Sequence, residues 1–338
     1  MVASLTNPLY KVNIIKADGT KYQLQEATTD LVVSHAEKEL AEKVNLSVVN
    51  VKVGTKRLHY LLELKDNVYV YADTGNGYQE VFRGFLWERS LSRSANTNEI
   101  SLVCYDRLKY FHESKDDVYY KKGKKTEDVI SDIAKKWGFT ISYKYKSITH
   151  SKLVYRQESI ADIITDILNL VKKSTGIDYV IRMEKNVIVI DAVGTNSTVY
   201  KIESNSNAIE VSHTQSMDSM VTKVKIVKAE TDKSGETGKY LTVTSVSKNT
   251  DKYGTLQDIL VKSKDDKLSD IKNEANQILK DYAQPKLTIE VKAIDNPHIK
   301  KGDKVYIATG NLKNYYIVKG IEHDCSDKTM YLEVKRYE

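Results

Sequence analysis

Cysteine is scarce in this sequence, and long apolar runs are missing. The two cysteines, Cys104 and Cys325, lie far apart and match no metal-ligand spacing, which favours free or buried thiols. No stretch approaches the roughly 18 uninterrupted apolar residues that a membrane-spanning helix needs. The first residues also lack the basic flank and apolar core of a secretory signal. These absences predict a chain that is cytosolic when made and has no membrane span.

Phenylalanine is rare as well, with 4 residues against 23 tyrosines. Tyrosine is typical of strands, where one side of the ring packs and the hydroxyl faces water or a neighbour. Lys and Arg exceed Asp and Glu by 52 to 46, and this spread-out excess is weak evidence for a nucleic-acid or membrane partner. The 338 residues allow two or three domains. Composition therefore predicts a folded, modular, β-rich chain.

Residues 1–115 alternate mostly with period two, which predicts a first β-barrel domain. The clearest segment is NVYVYADTGNGYQEVFRGFLWE, where two alternating runs flank a glycine-rich turn and predict a β-hairpin. LVVSHAEKELAEKVNLSVVNVKV is ambiguous, because its centre contains helix formers while its ends are rich in valine. We interpret it as two strands joined by a charged turn.

Residues 116–200 change to helical periodicity and predict a small α/β domain. In TEDVISDIAKKWG the apolar residues share one helical face, and Gly138 supplies the stop. A second helix is marked by the cap pair Ser159 and Asp162 and by an apolar stripe that ends before Gly176. Each helix precedes a strand-like run, FTISYKY or DYVIRMEKNVIVIDA. Two helix-then-strand halves of this size need each other to bury their apolar faces.

Residues 201–338 return to alternation and predict a second β-barrel with an inserted helix at about 266–283. MVTKVKIV and GKYLTVTSV read as strands on either side of a charged loop, and Pro285 ends the helical run. KLTIEVKAI, KKGDKVYI, NYYIVKGIEH and TMYLEVKRY read as the closing strands. The predicted fold class is mainly β with α+β character: two barrels that bracket a small α/β domain.

Each chemically suggestive residue set has a simpler structural explanation. These sets are His35 with Glu39, a distant Cys/His pair, Gly75 with Gly77, Asp116 with Asp117, Asp265 with Asp266, and KKGKK at 121–125. His35 and Glu39 read as surface residues, the Cys/His pair as an incidental thiol, and the two glycines as a hairpin tip. Asp116 and Asp117 point in different directions, Asp265 and Asp266 read as helix N-terminal charges, and KKGKK reads as a solvated linker. We predict no catalytic, cofactor-binding or metal-binding residue, and no enzyme activity.

Several phrases, in order along the chain, resemble the baseplate hub proteins of contractile phage tails and phage-tail-like bacteriocins, the late control protein D-like hub family. The first are FRGFL and SLVCYDRLKYFHESK, where the matching residues are Phe82, Arg83, Gly84, Tyr105, Asp106, Leu108 and Tyr110. The others are YGTLQDILV, the helix after it, IKKGDKVYI, and YYIVKGIEHDCSDKTMYLEV, in which His323 and Met330 flank the last turn. Each phrase alone is weak, but their order across nearly the whole chain is moderately specific.

This resemblance implies two barrels related to tail-tube subunits and a homotrimer whose six barrels form a ring. Such a trimer is a symmetry adaptor, because it offers six quasi-equivalent faces to a hexameric tube and threefold contacts to a trimeric spike. The implied partners are the tail tube protein, the spike protein and baseplate wedge proteins, with the tape measure protein as a further candidate. Assembly in the host cytoplasm and a final place in the baseplate at the distal end of the tail follow.

Two other function classes remain open from the sequence. Tail proteins often carry a cell-wall hydrolase or wall-binding module, and the helix-strand middle domain is superficially similar to small glycan-binding folds. The excess of six positive charges and KKGKK would suit a nucleic-acid-binding scaffold, although we expect no specific nucleic-acid partner. Clearing of a cell-wall zymogram would identify the first class, and salt-sensitive DNA retention the second.

Overall fold

The fold is mainly β, which confirms the predicted fold class. The computed structural model describes residues 7–94, 97–144, 146–231, 237–262, 268–310 and 312–337. By their internal contacts, the residues form two compact units, Met1–Ser212 together with Glu290–Glu338, and His213–Ile289. The division into domains at 1–115, 116–200 and 201–338 stays a prediction.

Strands and short helices follow one another from the N-terminus to the C-terminus. The first part contains β1 (Leu9–Ile15), β2 (Lys21–Gln23), β3 (Thr28–His35), β4 (Lys43–Val49), β5 (Lys52–Val53), β6 (Lys56–Arg57), a 3-10 turn (Leu58–Tyr60), β7 (Asn67–Asp73), β8 (Gln79–Arg93), β9 (Asn98–Tyr105) and α1 (Lys109–Glu113). The middle contains β10 (Lys115–Tyr120), α2 (Thr126–Lys136), β11 (Thr140–Lys144), β12 (Leu153–Ser159), α3 (Ile160–Thr175), β13 (Tyr179–Glu184), β14 (Val187–Ala192) and β15 (Tyr200–Glu203). The last part contains β16 (Ala208–Ser216), β17 (Lys223–Thr231), β18 (Thr237–Ser247), α4 (Thr250–Tyr253), β19 (Gln257–Lys262), α5 (Leu268–Tyr282), β20 (Lys286–Ile294), β21 (Lys304–Thr309), β22 (Leu312–Asp324) and β23 (Thr329–Arg336).

A 13-stranded sheet, curled into a half-barrel, connects the start of the chain with its end. Its strands follow the order β16-β20-β23-β22-β3-β4-β9-β8-β7-β1-β2, and β21 pairs with β22 and β15. The link is the antiparallel pairing of β22 with β3, in which His35 lies opposite Ile321 and Val32 opposite Asp324. Strands read separately from the two ends of the sequence therefore share one hydrogen-bonded ladder.

The predicted N-terminal hairpins are confirmed. β7 and β8 pair antiparallel around the glycine-rich tip, and β3 and β4 pair antiparallel across the charged segment. Along β4 every second side chain is buried, from Val44 through Leu46 to Val48, because alternate residues of a strand face the same side. These side chains fill one apolar core with residues of β1, β7, β8 and β9.

The predicted helices of the middle segment are also confirmed. On α3 seven apolar side chains are buried, and Gly176 ends the helix with a φ of 74° in the left-handed region. β11 and β14 pair parallel, while β13 and β14 form an antiparallel hairpin. The two helices and this small sheet enclose a second apolar core, which also contains Leu108 and Phe111 near the end of the first barrel segment.

The second unit contains a three-stranded sheet in the order β18-β17-β19 and the helix α5. Val224 and Ile226 of β17 pack against Ala275 and Leu279 of α5. This arrangement agrees with the predicted inserted helix and its flanking strands. Asp265, Asp266 and residues 232–236 of the charged loop KAETDKSGETG lie outside the described residues.

Candidate functional site

Phrases that are far apart in the sequence meet at one buried polar cluster, where β3 joins β22. We call it the junction cluster, and it consists of Tyr10, His35, Glu42, Asp106, Arg182, Asp295, Lys301, Asp303, His323 and Cys325. Most of its members line a cavity of about 20 Å³. That volume holds about one water molecule, so a substrate does not fit there.

Asp295 is the centre of the first part of the junction cluster. Its carboxylate accepts a hydrogen bond from the Tyr10 hydroxyl, and its Oδ1 lies 2.6 Å from His323 Nδ1. The other ring nitrogen of His323 lies 3.2 Å from the Ile299 carbonyl oxygen, which only accepts hydrogen bonds. Both ring nitrogens of His323 are therefore engaged by protein groups.

Cys325 lies two residues from His323, so the structure does bring a Cys, a His and an Asp together. Burial raises the pKa of the Cys325 thiol well above its usual value, and the thiol sulfur lies 3.6 Å from the His323 carbonyl oxygen. A nucleophilic cysteine needs the opposite shift and a free basic nitrogen beside it. This trio therefore packs and hydrogen-bonds as part of the fold, and its geometry does not suit nucleophilic catalysis.

Asp106, the acidic residue of the Tyr-Asp pair in the phrase SLVCYDRLKYFHESK, ties the end of β9 to the turn before β4. Asp106 accepts hydrogen bonds from the Glu42 main-chain N–H at 3.1 Å and from the Leu108 N–H at 2.8 Å. Burial raises the pKa of the Asp106 carboxyl well above its usual range, and the pKa of the nearby Glu42 carboxyl is shifted in the same direction. The Asp106 side chain therefore fixes the chain that follows β9 against the turn before β4.

Gly302 and Asp303 form the turn in the phrase IKKGDKVYI, and this turn contacts β13 of the α/β segment. Asp303 Oδ1 accepts a hydrogen bond from Arg182 Nη1 at 2.9 Å, and its Oδ2 accepts one from the Lys300 N–H at 2.9 Å. A Cβ at Gly302 would lie 2.6 Å from Val180, and the φ of Gly302 is 89°. Glycine is required there because the turn approaches β13 so closely.

Lys301 connects the same turn to the segment after β3. Its Nζ donates to the main-chain oxygens of Ala36 and Glu39 at 2.8 and 2.6 Å. Burial lowers the pKa of Lys301 to about 8. His35 is buried at the end of β3, with Nε2 3.2 Å from the Glu39 carbonyl oxygen. The interpretation of His35 as a surface residue is wrong, because its strand turns it inward beside β22.

The glycine pair and the Asp116–Asp117 pair singled out in the sequence make local structural contacts as well. The N–H groups of Gly75 and Gly77 donate to Asp73 Oδ1 at 2.8 and 2.9 Å, so the carboxylate of the same hairpin occupies the position that a phosphate would need. Asp116 pairs with Lys136, while Asp117 accepts a hydrogen bond from the Gln157 N–H. Residues 121–125 form an exposed turn before α2, apart from the short bridge at Lys125.

Within the described ranges, no three His, Cys, Asp or Glu side chains gather as a metal site would require. No helix in those ranges is both long and apolar enough to cross a bilayer.

Comparison with known proteins gives the family. A family model described as YQBQ-like matches residues 33–335. The chain belongs to the YQBQ-like family. It is 26% identical over 247 residues to the uncharacterized protein YqbQ of Bacillus subtilis, an alignment that covers 71% of this chain and 72% of the relative.

Solved structures of tail proteins share the fold of this YQBQ-like chain over nearly its whole length. The tail protein from Neisseria meningitidis superposes with a TM-score of 0.68 at 14% identity and covers 97% of both chains. The 43 kDa tail protein of prophage MuSo2 from Shewanella oneidensis gives 0.69 at 12% identity, with 97% of this chain and 98% of that chain covered. The continuous ladder and the inserted α/β segment therefore belong to a fold found in tail proteins.

Proposed function

We propose that this chain is the structural hub of the baseplate of a contractile, phage-like tail. The observation that carries the proposal is the full-length fold shared with tail proteins, which includes the barrel strands and the inserted segment together. The ordered hub phrases support the same conclusion, because the structure gives each of three phrases a contact in the junction cluster.

In this proposal the chain forms a homotrimer that joins the hexameric tail tube to the trimeric spike. Wedge proteins contact the outside of the trimer, and the tape measure protein is a further partner. The chain assembles in the host cytoplasm and ends in the baseplate at the distal end of the tail. The hydrogen-bonded junction cluster suits this role, because a symmetry adaptor must hold its two barrels in a fixed arrangement.

The test is the mass of the chain in solution, measured by light scattering after size-exclusion chromatography. When the chain is co-expressed with the spike protein of the same particle, we expect a complex whose mass equals three copies of the chain plus three copies of the spike protein. We also expect the trimer to bind the tail tube protein. A monomer at high micromolar concentration that binds neither spike nor tube protein would contradict the proposal.

The proposed role is not enzymatic, and a cell-wall zymogram tests that part separately. We expect no clearing when purified chain is incubated with cell wall. Clearing by the wild-type chain, retained through further purification, would show a wall hydrolase and would overturn the non-enzymatic assignment without bearing on the trimer.

A further inference from the structure

An open groove of about 760 Å³ lies between the first barrel strands and the α/β segment, apart from the junction cluster. One wall comes from the β7 and β8 region and from α1, and the other comes from the end of α2 and the turn at Asn186. Its volume falls within the range of small-molecule sites. The residues that line it take no part in the junction cluster.

Aromatic rings form much of the groove. The rings of Phe85 and Tyr110 stack with their centroids 4.9 Å apart, and Tyr69, Trp137 and Phe139 complete the aromatic lining. Phe85 and Phe139 are buried, whereas the other three rings are partly exposed. Exposed ring faces provide flat apolar surfaces on which the C–H face of a ligand packs.

The charge that remains without an ion-pair partner among the described residues of the groove is positive. Its acidic residues Glu63 and Asp66 lie 3.0 and 3.7 Å from the Lys16 ammonium. Arg83 is occupied by a bidentate pair with Glu80. The Arg107 guanidinium lies 4.6 Å from the centre of the Phe139 ring, and within the described part of the chain no carboxylate pairs with it. The groove therefore offers a guanidinium to a carboxylate-bearing ligand.

Main-chain hydrogen-bonding groups beside the groove are already paired within the protein, so they are not available to an extended peptide. Asn67 is paired with Ile15 on one side and with Phe85 on the other. The Lys65 N–H donates to the Leu86 carbonyl at 2.7 Å, and the Leu86 N–H donates to Asp66. A peptide that binds by adding a strand needs a free edge. Recognition in the groove must instead come from rings and side chains.

We propose that this groove binds a carboxylated amino sugar of the N-acetylmuramic acid class. The sugar ring stacks on the exposed aromatic faces, and Arg107 pairs with the carboxylate. Side chains at the rim, including Ser114 and Asn67, hydrogen-bond the hydroxyls and the acetamido group. Arg107 would pair only with a free lactyl carboxylate, which the glycan carries where the peptide stem has been removed. Binding of such a sugar involves no reaction, so this proposal is independent of the hub proposal.

Isothermal titration calorimetry with two matched sugars tests this proposal on the full chain. N-acetylmuramic acid and N-acetylglucosamine share the acetamido pyranose, and the first adds an O3-lactyl group that carries the carboxylate. We expect the acid to bind at least about tenfold more tightly, because an Arg–carboxylate pair is a strong, charge-assisted interaction. The preference should shrink as sodium chloride is added, since salt screens exposed charges.

Arg107→Gln should remove the preference, and Arg107→Lys should keep part of it. Arg156→Gln is the matched control, because Arg156 is an exposed arginine on β12 that does not line the groove. Circular dichroism checks that each variant is folded. Sodium lactate serves as a competitor that carries the carboxylate without the sugar ring, and we expect it to compete weakly.

Three results would overturn the proposal. One is equal binding, or no binding, of the two sugars to the wild-type chain. Another is a preference for the acid that survives in folded Arg107→Gln. The last is displacement of the sugar by a blocked Asp-Tyr dipeptide at lower concentration than by N-acetylmuramic acid, which would make the groove a peptide site.

Discussion

At the scale of single residues, Gly84 gives a physical reason for one residue of the phrase FRGFL. A Cβ at this position would lie 2.1 Å from the Tyr105 carbonyl oxygen and 2.6 Å from the Phe82 ring. Gly84 and Tyr105 belong to different phrases of the sequence resemblance, and the structure places their main chains in contact. A hydrogen atom is the one side chain small enough for this approach.

Replacement of Gly84 by alanine should therefore strongly destabilise the part of the sheet formed by β7, β8 and β9. We expect Gly84→Ala to lower the free energy of unfolding by about 3 kcal/mol or more, because the main-chain neighbours cannot move aside cheaply. Urea unfolding followed by circular dichroism measures the change. Ser90→Ala, an exposed position on the same strand, should stay within about 0.5 kcal/mol of wild type. Equal losses in the two variants would refute the close-approach explanation.

His35 makes stability depend on pH in a defined direction. Burial lowers its pKa to about 3, whereas a histidine in an unfolded chain titrates near about 6.5. As pH falls below about 6.5 the unfolded chain takes up the proton first, so stability present at neutral pH is lost toward pH 3. We expect the free energy of unfolding of wild type to fall by up to about 1.4 kcal/mol per pH unit more steeply than that of His35→Gln.

The comparison with His35→Gln is made at each pH between 7 and 4, because other groups titrate in the same range. Asp106 and Glu42 have raised pKa values, and each such group contributes stability at low pH that is lost as pH rises. Subtracting the two curves isolates the histidine. Parallel curves for the two proteins would show that His35 is not the group that binds the proton.

At the scale of elements, the local sequence pattern was enough to predict a helix or hairpin wherever the segment contained its own start and stop signals. The helix α3 was predictable because Ser159, the apolar stripe and Gly176 are adjacent in the sequence, and Ser159 Oγ accepts the Asp162 N–H at 3.0 Å. The hairpin of β7 and β8 was predictable from its alternation and turn residues. The pairing of β3 with β22 was not predictable, because alternation of apolar and polar residues identifies a strand but does not indicate which other strand it pairs with.

The same limit explains what sequence reasoning missed in the junction cluster. Asp106, Asp303 and His323 stand in separate phrases, and nothing local indicates that they approach one buried point. The sequence singled out these three residues only because they occur in the hub-like phrases, and that occurrence gave no physical reason for their importance. His35 was assigned to the surface because no metal-ligand pattern surrounds it, and its burial depends on a strand from the far end of the chain.

The cap of α3 offers a test at this scale. Ser159→Ala should cost about 1 kcal/mol of unfolding free energy, because the Asp162 N–H loses its acceptor at the helix N-terminus. Ser151→Ala, an exposed loop position in the same segment, should leave stability nearly unchanged. Thermal unfolding of the three proteins gives the comparison, and a matching midpoint for Ser159→Ala and wild type would contradict the capping role.

At the scale of the whole molecule, the proposed hub depends on the β3–β22 ladder staying closed. Ser34 and Glu322 lie directly opposite each other in that ladder, so cysteines at both positions are placed for a disulfide. We expect oxidised Ser34→Cys/Glu322→Cys to be about 2–4 kcal/mol more stable than its reduced form and to assemble like wild type.

Chemical denaturation and light scattering of oxidised and reduced protein make this test. The buried native thiols Cys104 and Cys325 have raised pKa values, so they should not exchange with the new disulfide. If the oxidised protein is stable but no longer joins the spike protein, assembly requires the ladder to open. That outcome would rule out a rigid junction.

The ladder between β3 and β22 also bears on how the protein is made. During translation the side of β3 that faces away from β4 has no partner until residues 312–324 have left the ribosome. A strand edge left open for that long invites pairing with neighbouring nascent chains. The first half of the chain should therefore finish folding only after residues 312–324 have emerged, and a ribosome that stalls before that point should release an aggregation-prone fragment.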